Sequence, residues 1–382
     1  MGRSLLRPGW LIGIGLALAS QAARALDLTG GSAAAEDCPR GAPQVRLAAA
    51  AYLEPAPVLY ATRYGGRYYR PALGNNTGFA VAFGELSTRV DSFCLGLVAR
   101  EEWDAHATRD LLDAVVGNHD GKPFDTGRKY RLAYQLQMFQ AGGIRLRRVL
   151  TLARWAAGRL QLGVGVSLLR ATQGRQEWGH GSAIATSPEY AVGTAVWTRI
   201  DSSSPSGFNP FVGAPHPSGW GYATDLDLRA ALRTGTSADL VVMDPESRIY
   251  WRDVAESVRS FDDATLRYNV DLNREALLTG IDSRINTVQH LPVKYRIALD
   301  QTVAGSWHVQ LSDDVIEGYH FPALGVRYGS RESYIRTGFD ARGRAVGISA
   351  RWHGLEATVA SNHLPLSEAT ELAVSLELIH PW

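Results

Sequence analysis

From Leu291 to Trp382 the chain alternates apolar residues with small or charged ones. In its last segment Leu372, Val374, Leu376, Leu378, His380 and Trp382 share one side, and Glu371, Ala373, Ser375 and Glu377 share the other. Successive side chains of a strand point to opposite faces, so this spacing predicts a strand with one apolar and one polar surface. The same device recurs upstream: Val346, Ile348, Ala350 and Trp352 oppose Gly347, Ser349 and Arg351. Val293, Tyr295, Ile297 and Leu299 oppose Lys294, Arg296 and Asp300, and Leu160, Leu162, Val164, Val166 and Leu168 oppose Gln161, Gly163, Gly165 and Ser167. The polar faces suit water. The apolar faces must meet either a protein core or lipid.

Further strands are predicted at Thr77 to Glu85, Val90 to Arg100, Lys129 to Phe139, Ile144 to Trp155, Arg159 to Arg170, Tyr190 to Ile200, Trp220 to Leu232, Ser237 to Met243 and Thr265 to Asn273. Gly142-Gly143 and Ala157-Gly158 suit hairpin turns, because glycine accepts positive φ. Helical spacing appears in three places: Leu111, Leu112, Val115 and Val116; Val254, Val258 and Phe261; and Leu277, Leu278, Ile281, Ile285 and Val288. These are expected as loop or rim helices. The Ser/Pro/Gly stretch Asp201 to Gly219 reads as a surface loop, and Arg148 falls on an otherwise apolar face. Residues 26–76, with an alanine run at Ala48 to Ala51 and prolines 55, 57 and 71, do not read as a barrel strand and are expected as a lumen plug or periplasmic segment. The strand count is about 12 to 16, with about 14 as the central value, which predicts an all-β fold: a single closed antiparallel transmembrane β-barrel over residues 77–382. Trp155, Trp197, Trp220, Trp251, Trp307, Trp352, Tyr328 and Tyr334 are candidates for interfacial girdles.

Residues 1–25 resemble a secretory signal: Arg3 and Arg7, an apolar stretch from Trp10 to Ala19, then Ala23-Arg24-Ala25. The apolar stretch is shorter than the roughly 20 residues a membrane-spanning helix needs, and no later stretch qualifies. A formal net charge of +1 gives no reason to expect a nucleic-acid partner. Cys38 and Cys94 are expected in a compartment where disulfides persist, either bonded to each other or as two free thiols. With the apolar face of Val90 to Arg100 toward lipid, Cys94 points inward, and a bond to Cys38 would pin the N-terminal segment inside the barrel.

The run Gly219-Trp220-Gly221-Tyr222-Ala223-Thr224-Asp225-Leu226-Asp227-Leu228 resembles a strand of outer-membrane barrels of the long-chain fatty acid transporter type and their TraF-like and PorV-like relatives. Leu291-Pro292-Val293-Lys294-Tyr295-Arg296, Phe321-Pro322-Ala323-Leu324-Gly325-Val326-Arg327-Tyr328 and the closing hairpins fit the same pattern. The resemblance covers roughly residues 130–382. It implies a barrel of about 14 strands in a Gram-negative outer membrane, with an N-terminal segment in the lumen. Such barrels commonly end on an aromatic residue, so Leu376, Leu378, His380 and Trp382 are assigned as the signal read by the barrel-assembly machinery.

The chemical motifs are weak. Gly117-Asn118-His119-Asp120 matches a short metallophosphoesterase motif but lacks a Gly-Asp pair, and Asn-His-Asp-Gly also suits a turn. His180-Gly181-Ser182 and Ser361-Asn362-His363 hold the ingredients of an outer-membrane hydrolase, which requires serine and histidine within hydrogen-bond reach. Arg131, Asp225, Asp227, Arg229, Lys294, Arg296, Arg336, Arg351 and Glu377 are predicted to face the lumen, where mixed signs fit a solvated or internally paired interior better than a single-sign field. The reading is a channel for small or hydrophobic solutes, or a structural barrel component, surrounded by outer-membrane lipid, with no catalysis and no cofactor. A soluble exported β-sandwich and an outer-membrane hydrolase are the rivals.

Overall fold

The computed structural model describes residues 38, 43–53, 75–119, 123–202, 218–262, 266–268, 274–276, 279–330, 332–364, 366 and 369–379. The predicted signal, Pro55, Pro57, Pro71, the segment 203–217, His380 and Trp382 lie outside them. In chain order the elements are β1 (Gln44–Leu53), β2 (Asn75–Val90), β3 (Phe93–Thr108), α1 (Arg109–His119), β4 (Lys129–Trp155), β5 (Gly158–Ala185), β6 (Ala191–Asp201), β7 (Gly219–Leu232) and β8 (Thr236–Phe261). They continue with β9 (Leu266–Tyr268), β10 (Arg274–Ala276), β11 (Thr279–Gln289), β12 (Lys294–Ala304), β13 (Trp307–Ile316), β14 (Tyr319–Gly329), β15 (Ser333–Asp340), β16 (Val346–Trp352), β17 (Leu355–Ser361) and β18 (Glu371–Ile379). The described chain has no helix long and apolar enough to cross a membrane.

Sixteen strands share one antiparallel sheet, and β9 and β10 form a separate hairpin. β6 and β7 occupy one wall position, β6 above β7, because both pair β5 on one side and β8 on the other. β11 and β12 likewise succeed one another along β8. Sixteen strands less these two duplications leave fourteen wall positions. The last meets the first: β18 pairs β1 from Gln44↔Ile379 to Tyr52↔Glu371, which closes the barrel. The segment expected as a plug therefore supplies a wall strand. Its alanine run hid it, since Ala48 and Ala50 face inward and Ala49 and Ala51 outward without any change in polarity.

One end of the barrel carries short turns. At one of them His353 (φ 45°) and Gly354 (φ 88°) both take the left-handed conformation that a two-residue hairpin requires. The other end carries α1 and the longer connections. β12 to β18 have 7 to 11 residues, close to the 9–11 that cross a bilayer, whereas β4, β5 and β8 have 27, 28 and 26 and stand well above it. Gly142-Gly143 is accordingly not a turn but the middle of β4, next to a bulge, where a Cβ on Gly143 would collide with the Leu168 carbonyl. Val254 to Phe261 and Ile281 to Val288 are strand, not helix. Val254, Val258, Ile281 and Ile285 keep one parity within the paired strands, and Phe261 and Val288 fall on the other, so the apolar spacing of three and four spans both faces of the sheet. The helix predicted around Leu111 and Leu112 is α1.

The outer surface is apolar. On β5 Val166 and Leu168 lie outward, and Leu168 is 62% exposed; its neighbours include Ile144 and Leu146 on β4 and Leu95 and Leu97 on β3. Ile297, Leu311, Ile335, Ile348 and Val359 continue this surface around the wall. Above it the outward residues turn polar at Glu101, Arg170, Glu246, Arg248, Asp313 and His320. The five outward positions from Leu160 to Leu168 span about 27 Å along the strand, or about 21 Å along the axis at a tilt near 40°, close to the roughly 25 Å belt of a membrane barrel. Trp155, Trp307, Tyr328 and Trp352, all exposed beside the short turns, edge the belt. Trp251 and Tyr334, expected in girdles, are instead buried at 3% and 9%, because strand parity points them inward. Arg148 stays on the outer face near the same edge, over the Phe93 ring at 5.1 Å.

The belt generates a prediction. Ile348→Arg lowers the stability of the bilayer-inserted barrel by about 2–4 kcal/mol, the cost of a cation on the lipid face near the midplane. Urea unfolding from liposomes measures it. A change within about 0.5 kcal/mol, normal for an exposed site in water, would remove lipid from that face.

Candidate functional site in the lumen

The inner face splits into two levels. Beside the short turns it is charged. Arg145 (β4) donates to Glu85 (β2) at 3.2 Å and to Asp225 (β7) at 2.5 Å, Arg147 donates to Glu85 at 2.5 Å, and Arg46 lies 3.3 Å from Glu377. Three guanidinium groups thus meet three carboxylates, which is what permits such groups to be buried away from water. Gln44 adds a hydrogen bond to Glu377 at 2.5 Å. Cys94 faces this floor, next to Arg147 Nη2 at 3.4 Å, and is disulfide-bonded to Cys38, which is 2% exposed.

A second charged layer lies near the upper limit of the belt. Arg100 (β3) donates to Asp244 (β8) at 2.9 and 2.6 Å and to Glu102 at 2.5 Å. Lys294 (β12) donates to Glu102 at 2.6 Å and to Asp244 at 3.2 Å. Asp244 reaches inward because β8 bulges there, at φ 59°. Two cations and two anions again cancel.

At and above this layer the lumen becomes apolar and aromatic. Phe83, Phe139, Ile249, Trp251 and Leu291 pack in one cluster, and Tyr52, Phe79, Ile316 and Phe321 in another. Phe79 and Phe321 meet edge to face with ring centroids 5.3 Å apart, and Tyr52 packs against both. Their strands, β2 and β14, are six wall positions apart. A circular barrel of fourteen strands spaced about 4.8 Å and tilted about 40° would be about 28 Å across between backbones, too wide for two phenylalanines to touch. The cross-section is therefore flattened, and side chains of facing walls fill it.

One wall position changes strand beside the first aromatic cluster, where β6 ends at Asp201 and β7 begins at Gly219. Ser202 N donates to the Gly174 carbonyl at 2.9 Å, and Gly174 N donates to Ser202 Oγ at 2.6 Å. Trp251 lies against this junction. A Cβ on Gly174 or Gly219 would crowd its indole, and Trp251 Nε1 donates to Gln289 Oε1 at 3.0 Å. The junction is level with Arg170 and Trp220, at the upper limit of the belt. The stretch 201–219, expected as a surface loop, has both its ends anchored within the wall.

Of the residues predicted to face the lumen, Asp225, Asp227, Lys294, Arg296 and Arg336 are buried, and Arg229, Arg351 and Glu377 are half-buried. Arg296 lies 3.8 Å from Asp314, and Arg336 and Arg351 share Glu356 at 3.6 and 3.7 Å. Arg131 is exposed at the rim, where its amide donates to Asp110 of α1 at 2.9 Å. Partial burial pushes the Asp110 carboxyl up, and this amide together with the Arg128 guanidinium more than reverses it, leaving it below the usual carboxylate range. Leu378 lies on the outer face of β18. Gly117 to His119 end α1. His180 and Ser182 lie two residues apart within β5, and the Ser361 hydroxyl donates to the His363 carbonyl at 2.8 Å, so it serves a turn.

Arg145→Met leaves Asp225 buried without its 2.5 Å partner and lowers stability by about 3–5 kcal/mol. Replacing both, as Arg145→Met with Asp225→Leu, restores most of that loss in denaturant unfolding of the refolded barrel. Replacing both cysteines by serine reopens a 56-residue separation and costs up to about 4 kcal/mol on the chain-entropy estimate.

No family model matches the chain, and no curated protein does. Among solved structures it is similar to a TodX monoaromatic hydrocarbon channel mutant, at 10% identity and TM-score 0.44 over 90% of each chain. It is also similar to the toluene transporter TbuX of Ralstonia pickettii, at 8% identity and TM-score 0.33 over 89% of this chain and 90% of that one. A third, an outer membrane channel from Pseudomonas putida F1, shows 10% identity and TM-score 0.27 over 90% and 96%. The fold itself is established by the strand registers above, which define a closed barrel of fourteen wall positions.

Proposed function

We propose that this protein is an outer-membrane channel for small apolar solutes. The observation that carries the reading is the order of the lumen: an aromatic layer at the long-loop end over a floor of mutually neutralised charge. Short turns face the periplasm in barrels of this type, so the aromatic layer lies toward the outside of the cell. Phe79, Phe139, Phe321 and Trp251 offer an apolar solute what water does not. The floor beneath, cross-linked by buried ion pairs and by the Cys38–Cys94 bond, is a poor path for such a solute, because every charge on it would have to be left unpaired as the solute passed.

The test is entry of an uncharged apolar fluorophore into cells whose outer membrane otherwise excludes it. Expression of the protein speeds entry, Phe139→Asp or Trp251→Asp returns it to the rate of cells without the protein, and both variants still insert as heat-modifiable barrels. Liposomes bearing the protein admit sugars no faster than empty ones. Unchanged dye entry on expression, or sugar-driven swelling with dye entry indifferent to either variant, would sink the proposal.

A further inference from the structure

Asp104 and His106 lie on β3 two residues apart, hence on one face, beyond Glu101 and so above the lipid belt. Opposite them is Glu317, at the tip of the β13–β14 hairpin with φ 49°. β3 and β13 are six wall positions apart, so the hairpin reaches across the lumen to bring these groups together. One ligand atom from each of the three residues lies within 4.8 Å of the other two.

The surroundings hold the imidazole in place. Tyr319 stacks on its face with ring centroids 5.5 Å apart and planes 9° from parallel. Thr77 Oγ1 lies 2.9 Å from Nδ1 and 3.4 Å from the Ala105 carbonyl, to which its hydroxyl donates. That arrangement lets the threonine oxygen accept from Nδ1 and turns Nε2 toward the two carboxyl groups. Nε2 contacts Glu317 Oε2 and lies 3.2 Å from Asp104 Oδ1. Asp104 is 5% exposed, and neither of its oxygens accepts a hydrogen bond.

The imidazole and the two carboxyl groups converge on one point, where a bound cation would be held by all three. Of the neighbouring cations, Arg100 and Lys294 are balanced by Glu102 and Asp244, and Arg342 lies over the Tyr319 ring at 4.9 Å. Two carboxyl groups thus face one imidazole. We propose that Asp104, His106 and Glu317 form a binding site for a divalent first-row metal ion of the zinc class, which ties the β13–β14 hairpin to the opposite wall. One imidazole nitrogen with two carboxylate oxygens is a donor set suited to zinc, with metal–ligand distances of about 2.0–2.2 Å and a position left for water. A hydroxyl behind the other ring nitrogen is the outer partner that metal-bound histidines commonly have. This inference does not rest on the identity of the solute.

The experiment uses the full chain in detergent with Zn²⁺ alone. Wild type is expected to bind one Zn²⁺ by calorimetry and to melt at higher temperature with it. X-ray absorption at the zinc edge should show nitrogen and oxygen neighbours, imidazole among them. His106→Ala and Glu317→Gln should abolish binding, and Thr77→Ala should weaken it roughly 10–100-fold. Asp313→Asn, which breaks an outward-facing pair in which His320 lies 2.6 Å from Asp313, should leave binding intact. The proposal is overturned if wild type binds no Zn²⁺, if its zinc shell lacks imidazole, or if Asp313→Asn abolishes binding while His106→Ala does not. The absorption measurement needs only wild type, so it decides the matter even where a variant fails to fold.

Discussion

The constraint on which this architecture depends is that a chain in hydrocarbon must hydrogen-bond every backbone group to itself. A sheet meets that demand only by closing, and here the closing seam is β1 on β18. It unites residues more than three hundred positions apart, so the wall is incomplete until both ends of the chain have arrived. The seam carries its own inward lock. Gln44 and Arg46 on β1 both reach Glu377 on β18, putting a charge-assisted contact behind the ladder where the two ends meet.

Closure fixes the number of wall positions but not the shape of the space inside. Fourteen strands could enclose an open pore, yet in this chain facing walls touch at two heights, through Arg100, Asp244, Glu102 and Lys294, and through Phe79 and Phe321. Buried charges are tolerated only when matched, and each charged layer is matched by groups drawn from different strands. The ion pairs thus act as struts that set the width of the barrel, and the width they set is small enough for aromatic side chains to fill the level above. Charge below and aromatic packing above are consequences of one flattening.

Much of this wall was legible in the sequence wherever one face meets lipid and the other meets the lumen. β5, β12 and β16 alternate cleanly because their two environments differ. Legibility failed where they do not. The alanines of β1 are neutral to either face. β8 and β11 continue above the belt, where nothing forces alternation, and their apolar residues fall at helical spacing. Gly142 and Gly143 suit a turn by residue type, and only the pairing of β4 with β5 along its whole length shows them to be mid-strand. The inward charges were readable as a class, since Lys294, Arg296 and Asp225 fall on polar faces, but their partners were not. Arg145 pairs with Asp225 at a separation of 80 residues, and no local pattern announces that.

The three residues at the mouth show the same limit more sharply. Asp104-Ala105-His106 is visible as two ligand types on one face of a strand, but such a pair is common and says little by itself. Glu317 lies 211 residues from His106 and sits in an ordinary turn. What makes the group specific is the inclination of the β13–β14 hairpin across the lumen, and that inclination follows from the flattening. If the struts at Arg100 and Lys294 set the width, they also set the distance at which Glu317 meets His106. Wall shape and mouth chemistry are then two results of the same paired charges.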